Sequence, residues 1–170
     1  MSSYTTRDTA MRWSAYGAAC LLLCFAHSMT CARVSVGGAA PFLPPLLPAV
    51  IASMEERLEG VGFGLVFGVL CDLTLTSALP CLYTVSFTAA ALLASFLAGN
   101  VLQPGFLCSA AVSAAAFAVV DLIAGTALVL MGRAEAAAAA GLAVREAAVS
   151  LPLLAVCHPV LRFVHRKFTL

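Results

Sequence analysis

Gly60-Val61-Gly62-Phe63-Gly64-Leu65-Val66-Phe67-Gly68-Val69-Leu70-Cys71-Asp72-Leu73 decides the fold. An apolar run of this kind reads as a membrane-embedded helix, and Asp72 sits inside it. A carboxylate at mid-bilayer costs about 2.5 kcal/mol or more, so something must offset it. Gly60, Gly64, Gly68 and Asp72 recur every four residues, which places them on one slowly drifting helical stripe. The stripe is a smooth groove with an acid at one end. It predicts a helix packed closely on a neighbour, with the acid turned into protein rather than lipid.

The rest of the chain agrees with a membrane setting. Of 170 residues, 62% are hydrophobic and 10% charged, and the mean hydropathy is +1.03. A soluble domain carries about 25% charged residues. This composition identifies an integral membrane protein with one transmembrane domain over residues 1–170 and no soluble domain. The net charge of +1 gives no reason to expect a nucleic-acid partner. Cys20, Cys24, Cys31, Cys71, Cys81, Cys108 and Cys157 are scattered without a CxxC pair, so they read as small packing residues rather than a disulfide or metal framework. Neither a cofactor nor a metal site is expected. The apolar run from Ser14 to Cys31 lacks a persuasive small-x-small cleavage site and reads as a retained first span.

A span needs about 20 mostly apolar residues. Six are predicted, at about 13–32, 36–54, 60–78, 81–99, 106–131 and 147–164. Trp13 and Tyr16 suit the interface at the start of the first. Pro41, Pro44, Pro45 and Pro48 break the first half of the second, so its regular helix should begin near Pro45 or Pro48. The irregular part must lie at the interface or be sheltered by other helices. Glu55-Glu56-Arg57-Leu58-Glu59 reads as a charged loop, and Pro80 as the turn into the fourth span. The alanine run 136–140 reads as a surface helix or an extension of the sixth span.

An even number of spans puts both termini on one side. That side would carry Arg7, Arg12, Arg57, Arg162, Arg166 and Lys167, against Arg33, Arg133 and Arg145 on the other. The bias favours cytoplasmic termini. Arg162, Arg166 and Lys167 should anchor the last helix at anionic headgroups.

Asp72 and Asp121 are the only acids within the predicted spans, and no intramembrane Lys or Arg is available to pair with them. Both read as packing or partner-contact positions, with ion or ligand binding as the functional alternative. His27 and His158 are isolated and read as helix–helix contacts. There is no HExxH, GxSxG or Walker A pattern, so no enzymatic activity is expected.

The order of these features resembles the MreD family of bacterial rod-shape membrane proteins. The resemblance spans roughly residues 12–168. It rests on the Pro-rich second span with its charged loop, on Gly64-Leu-Val-Phe-Gly68-Val-Leu-Cys-Asp72-Leu, on Val119-Val-Asp121-Leu, and on a closing Pro159 and Arg162 with a short basic tail. Where the family has a glycine after the third-span acid, this chain has Pro80. The resemblance implies a non-catalytic scaffold of the elongasome in the inner membrane. It would link MreC and the actin-like MreB to RodA and a class B penicillin-binding protein. It also implies the six-helix fold of the substrate-binding subunits of energy-coupling-factor transporters. A vitamin-binding subunit of that kind is the alternative reading. Its outer-side pocket would have to be built from Arg33, Tyr83, Arg133, Glu135, Arg145 and Glu146.

Overall fold

A computed structural model describes residues 6–30, 38–75, 79–102 and 105–169. All regular elements in them are helical: α1 (Thr6–Thr30), α2 (Leu46–Met54), α3 (Arg57–Thr74), α4 (Leu82–Asn100), α5 (Phe106–Leu130), α6 (Ala136–Ser150) and α7 (Leu154–Thr169), with a 3-10 turn, Leu151–Leu153, joining the last two. Three stretches are long and apolar enough to cross a membrane: Leu82–Asn100, Phe106–Leu130 and the nearly continuous Ala136–Phe168. The chain is therefore a helical membrane protein. Residues 31–32, 36–37 and 76–78 of the predicted spans, with Cys31 and Arg33, lie outside the described residues.

In the second predicted span, 36–54, the regular helix covers nine residues and starts where the prolines predict. At 1.5 Å per residue it is about 14 Å long, less than half a hydrocarbon core. The cause lies in the prolines: residues 41–43 have no regular structure, 44–45 form a turn, and the helix starts directly after Pro45. Residues 46–52 are all buried, so α2 is enclosed by the bundle rather than bathed in lipid. It packs on α3, α4, α5 and α7. Of the two readings of the alanine run, the structure shows the extension of the sixth span. The alanine run belongs to α6, which continues through the 3-10 turn into α7.

The core has two textures. Tyr16, Leu46, Leu47, Val50, Ile51, Phe87, Phe117, Leu154 and Leu161 form a layer of large side chains. Trp13, Phe63, Phe67 and Phe87 stack through it, with ring centroids 5.7, 5.9 and 6.0 Å apart in succession. Beside it lies a small-residue layer of Ala49, Ala52, Ala90, Ala91, Ala94, Cys108 and Ala116, where helix backbones come close. Leu21, Leu22, Phe25 and Met29 of α1 stay exposed, as do Leu107, Leu122 and Leu130 of α5. Such faces suit a lipid surround.

Candidate functional site

The glycine stripe faces other helices of the same chain. A Cβ built on Gly60 would lie 2.6 Å from the Ala52 Cα. On Gly64 it would lie 2.7 Å from the Ala91 Cβ and 3.0 Å from the Phe87 carbonyl oxygen. On Gly68 it would lie 2.6 Å from the Thr84 Cα. These approaches leave no room for a side chain. The stripe thus docks α3 against the end of α2 and along α4.

Asp72 stands at the end of this stripe and meets the first turn of α4. Its Oδ1 accepts the Tyr83 N–H at 3.0 Å, and its Oδ2 accepts the Thr84 N–H at 2.8 Å and the Thr84 hydroxyl at 2.6 Å. The first N–H groups of a helix have no acceptor within it, and an N-cap side chain normally supplies one to N2 or N3. Tyr83 and Thr84 are N2 and N3 of α4. The N-cap residue, Cys81, has a left-handed backbone (φ 61°) and makes no side-chain cap bond. Asp72 fills that role from the preceding helix. Its negative charge also meets the positive end of the α4 dipole. Pro80 lies in the turn, as its sequence context suggests, but the left-handed position that favours glycine falls on Cys81.

Asp121 is placed differently. It is half-buried on α5, beside a cavity of about 650 Å³ between α5 and α6. Half of the lining is alanine, including Ala114, Ala118, Ala139, Ala143 and Ala147, with Gly125 and Thr126 among the rest. No hydrogen bond or ion pair of Asp121 is found among the described residues, and Glu146 on α6 lies within its electrostatic range. The two acids singled out in the sequence therefore do not form one centre: Asp72 serves α4, and Asp121 faces α6.

A second polar centre, not foreseen from sequence, lies at the opposite end of α3 from Asp72. Glu55, between α2 and α3, is not a solvated loop residue: its side chain is 2% exposed. Its Oε2 pairs with Arg12 at 3.0 Å. Its Oε1 accepts the Tyr16 hydroxyl at 2.6 Å and lies 3.0 Å from Nδ1 of His165. Tyr16 and His165 are themselves 3.1 Å apart. Arg12 also pairs with Glu59, one turn into α3. Four elements meet here: α1, the α2–α3 link, the start of α3 and the end of α7. Tyr16 is fully buried, with its hydroxyl turned into this knot. Burial pushes the Glu55 carboxyl up, but the His165 and Tyr16 hydrogen bonds and the Arg12 charge outweigh it, leaving its pKa below the ordinary value. The sequence held one signal for this knot. Arg12 and Tyr16 share a helix face at i, i+4, and they belong to the same predicted membrane side as Glu55 and Glu59.

At that same end, Arg162 and Arg166 of the predicted anchor line a cavity shared with α2 and α5, whereas Lys167 is exposed and does not line it. His158 is buried, with Nδ1 2.9 Å from the Ser109 hydroxyl, a helix–helix contact between α7 and α5. No group of three or more potential metal-ligating His, Cys, Asp or Glu residues is found among the described residues.

No family model, curated protein or solved structure matches the chain.

Proposed function

We propose that this protein is a non-catalytic membrane scaffold of the MreD kind. It would lie in the bacterial inner membrane as a six-pass protein with both termini in the cytoplasm. There it would hold MreC and MreB together with RodA and a class B penicillin-binding protein. One observation carries the reading. Gly64 to Asp72, on which the resemblance chiefly rests, is used for internal architecture: its glycines admit α4, and its acid caps α4. A carboxylate holding three hydrogen bonds is already committed, which fits a packing role better than proton or ion transfer.

The arrangement of helix ends supports the topology. The starts of α1, α3 and α5 gather at one end with the finishes of α2, α4 and α7, as the contacts of Arg12, Glu55 and His165, the approach of Arg57 to Gly99, and the cavity shared by Met54, Gly105 and Arg162 require. Six alternating passes, with the short α2 sheltered, satisfy this. The bias of basic residues then favours the cytoplasm for that end. The apolar faces of α1 and α5 offer surface for lipid and partner helices.

Against a vitamin-binding subunit stands the makeup of the cavity between α5 and α6. Ligand pockets combine apolar walls with several placed polar groups. Here Asp121 and Thr126 are the polar side chains among the lining residues. Tagged co-purification from native membranes, with mass spectrometry of the bound proteins, tests the proposal. Recovery of MreC, RodA or a penicillin-binding protein is expected. Recovery of an ATPase pair with a coupling subunit would replace the scaffold by a transporter component, and recovery of neither set would remove the proposal.

A further inference from the structure

The end of the bundle that carries the Glu55 knot also holds a second, separate polar feature. A cavity of about 460 Å³ opens between the finish of α2, the start of α5 and the last turns of α7. Ser53, Ser109, His158, Arg162, His165 and Arg166 contribute its polar side chains. No carboxylate lines it. His165 is committed to Glu55. Arg162 and Arg166, by contrast, make no ion pair among the described residues and are exposed.

Two further observations point to an anion. The first is the start of α5. Gly105 stands at its N-cap, lines the cavity and provides no side-chain cap, so the start of a 25-residue helix borders this space. A helix N-terminus favours negative charge through its free N–H groups and its dipole. The second is His158. The residue is only 6% exposed, yet its Nε2 has no hydrogen-bond partner among the described residues. A buried polar atom without a partner is costly, and the cost is removed when a ligand or water supplies one. In the tautomer where Nδ1 accepts from the Ser109 hydroxyl, Nε2 carries the hydrogen and lacks an acceptor.

We infer that this cavity is a binding site for a phosphate group, held by Arg162, Arg166, His158 and the N-terminus of α5. The pattern is all donors and positive charge, with no acceptor of its own beyond the two serine hydroxyls. Guanidinium groups bind phosphate oxygens in a bidentate fork, whereas the Ser53 hydroxyl already donates to the Val50 carbonyl and the Ser109 hydroxyl is bonded to His158 Nδ1. Two sources offer this chemistry: the headgroup of an anionic phospholipid, and a free phosphate compound. The site does not depend on the scaffold reading, because its chemistry is set by the groups that line the cavity, whatever the protein assembles with.

The test uses the full chain, purified in a neutral detergent and stripped of lipid. Phosphatidylglycerol, phosphatidylcholine and inorganic phosphate are titrated separately, followed by native mass spectrometry and thermal unfolding. Phosphatidylglycerol should bind and raise the melting temperature, while phosphatidylcholine should not. The double variant Arg162→Gln/Arg166→Gln should bind about tenfold more weakly or less. Both arginines are exposed, so the variant should fold normally. Lys167→Gln serves as the control, since Lys167 is a neighbouring exposed cation outside the cavity. Binding of phosphatidylglycerol that inorganic phosphate does not displace assigns the site to a lipid headgroup. Stabilisation by inorganic phosphate alone assigns it to a soluble phosphate compound. Absence of binding by either, or an equal loss in Lys167→Gln and the double variant, overturns the inference in favour of none or of diffuse surface charge.

Discussion

Asp72 caps a helix to which it does not belong: its carboxylate takes both the N–H and the hydroxyl of Thr84, twelve residues further on. The bond set ties the finish of α3 to the start of α4. An acid that would be costly in lipid is placed where free N–H donors and a helix dipole both favour it.

Replacing Asp72 by Ala should therefore lower stability by about 1–2 kcal/mol, the usual worth of a cap. Asn keeps one acceptor oxygen and puts an NH2 donor in place of the other, so Asp72→Asn loses the bonds of one oxygen with the charge and should fall between Ala and the native protein. Thermal unfolding in detergent would check this. Equal stability of all three would show that the cap contributes nothing.

Gly68→Ala places a methyl group against the Thr84 backbone, which cannot yield without splaying α3 from α4. A loss of about 1–3 kcal/mol is expected, typical of overpacking. Gly62 lies on the same helix with nothing within 4 Å of a built Cβ. Gly62→Ala should be neutral or stabilising by up to about 1 kcal/mol from helix propensity. Chemical denaturation of the two variants side by side would separate close approach from propensity.

The stripe and its acid were legible in the sequence because a spacing of four survives any helical packing. Which helix fills the groove was not legible, since Ala52, Ala91 and Thr84 carry no mark that assigns them to it. The proline-broken start of α2 was also readable. Its complete burial was not, because an apolar run looks the same whether lipid or protein surrounds it. The Glu55 knot escaped for another reason. A charged residue after an apolar run ordinarily marks solvent, and only the meeting of α1, α3 and α7 turns it inward. His158 gave no pattern at all, since its partner Ser109 lies 49 residues away on another helix.

Glu55 predicts an acid limb in the stability profile. Its folded pKa lies below the ordinary glutamate value of 4.5. Its contribution is then fully present above 4.5 and is lost as pH falls through the lower folded value. Unfolding followed between pH 6 and pH 3 should show stability dropping in the lower part of that window, and Glu55→Gln should flatten the drop. An identical acid limb in the variant would assign it to other carboxyls.

Tyr16→Phe removes one hydroxyl from the same knot and leaves the ring in place. Hydrogen bonds to charged groups are worth about 1.5–3 kcal/mol, and a loss in that range is expected in equilibrium unfolding. No change would mean that the Arg12 and His165 contacts satisfy Glu55 alone.

Cys81 tests orientation. It is exposed in the turn between α3 and α4, whereas Cys20, Cys71, Cys108 and Cys157 are buried. In a Cys31→Ser background, a membrane-impermeant maleimide should label Cys81 from the periplasmic face and not from the cytoplasmic face. Labelling from the cytoplasmic face would reverse the proposed topology.

The enclosure of α2 has a consequence for biogenesis. Residues 46–52 have no side turned outward, and the segment before them has little regular backbone bonding of its own. Lipid cannot satisfy such a chain. Its cover comes from α3, α4, α5 and α7, all of which leave the ribosome later. A nascent chain halted after α2 has nowhere stable to put it. The order of synthesis thus runs against the order of burial, and the second element to be made is among the last to be closed in.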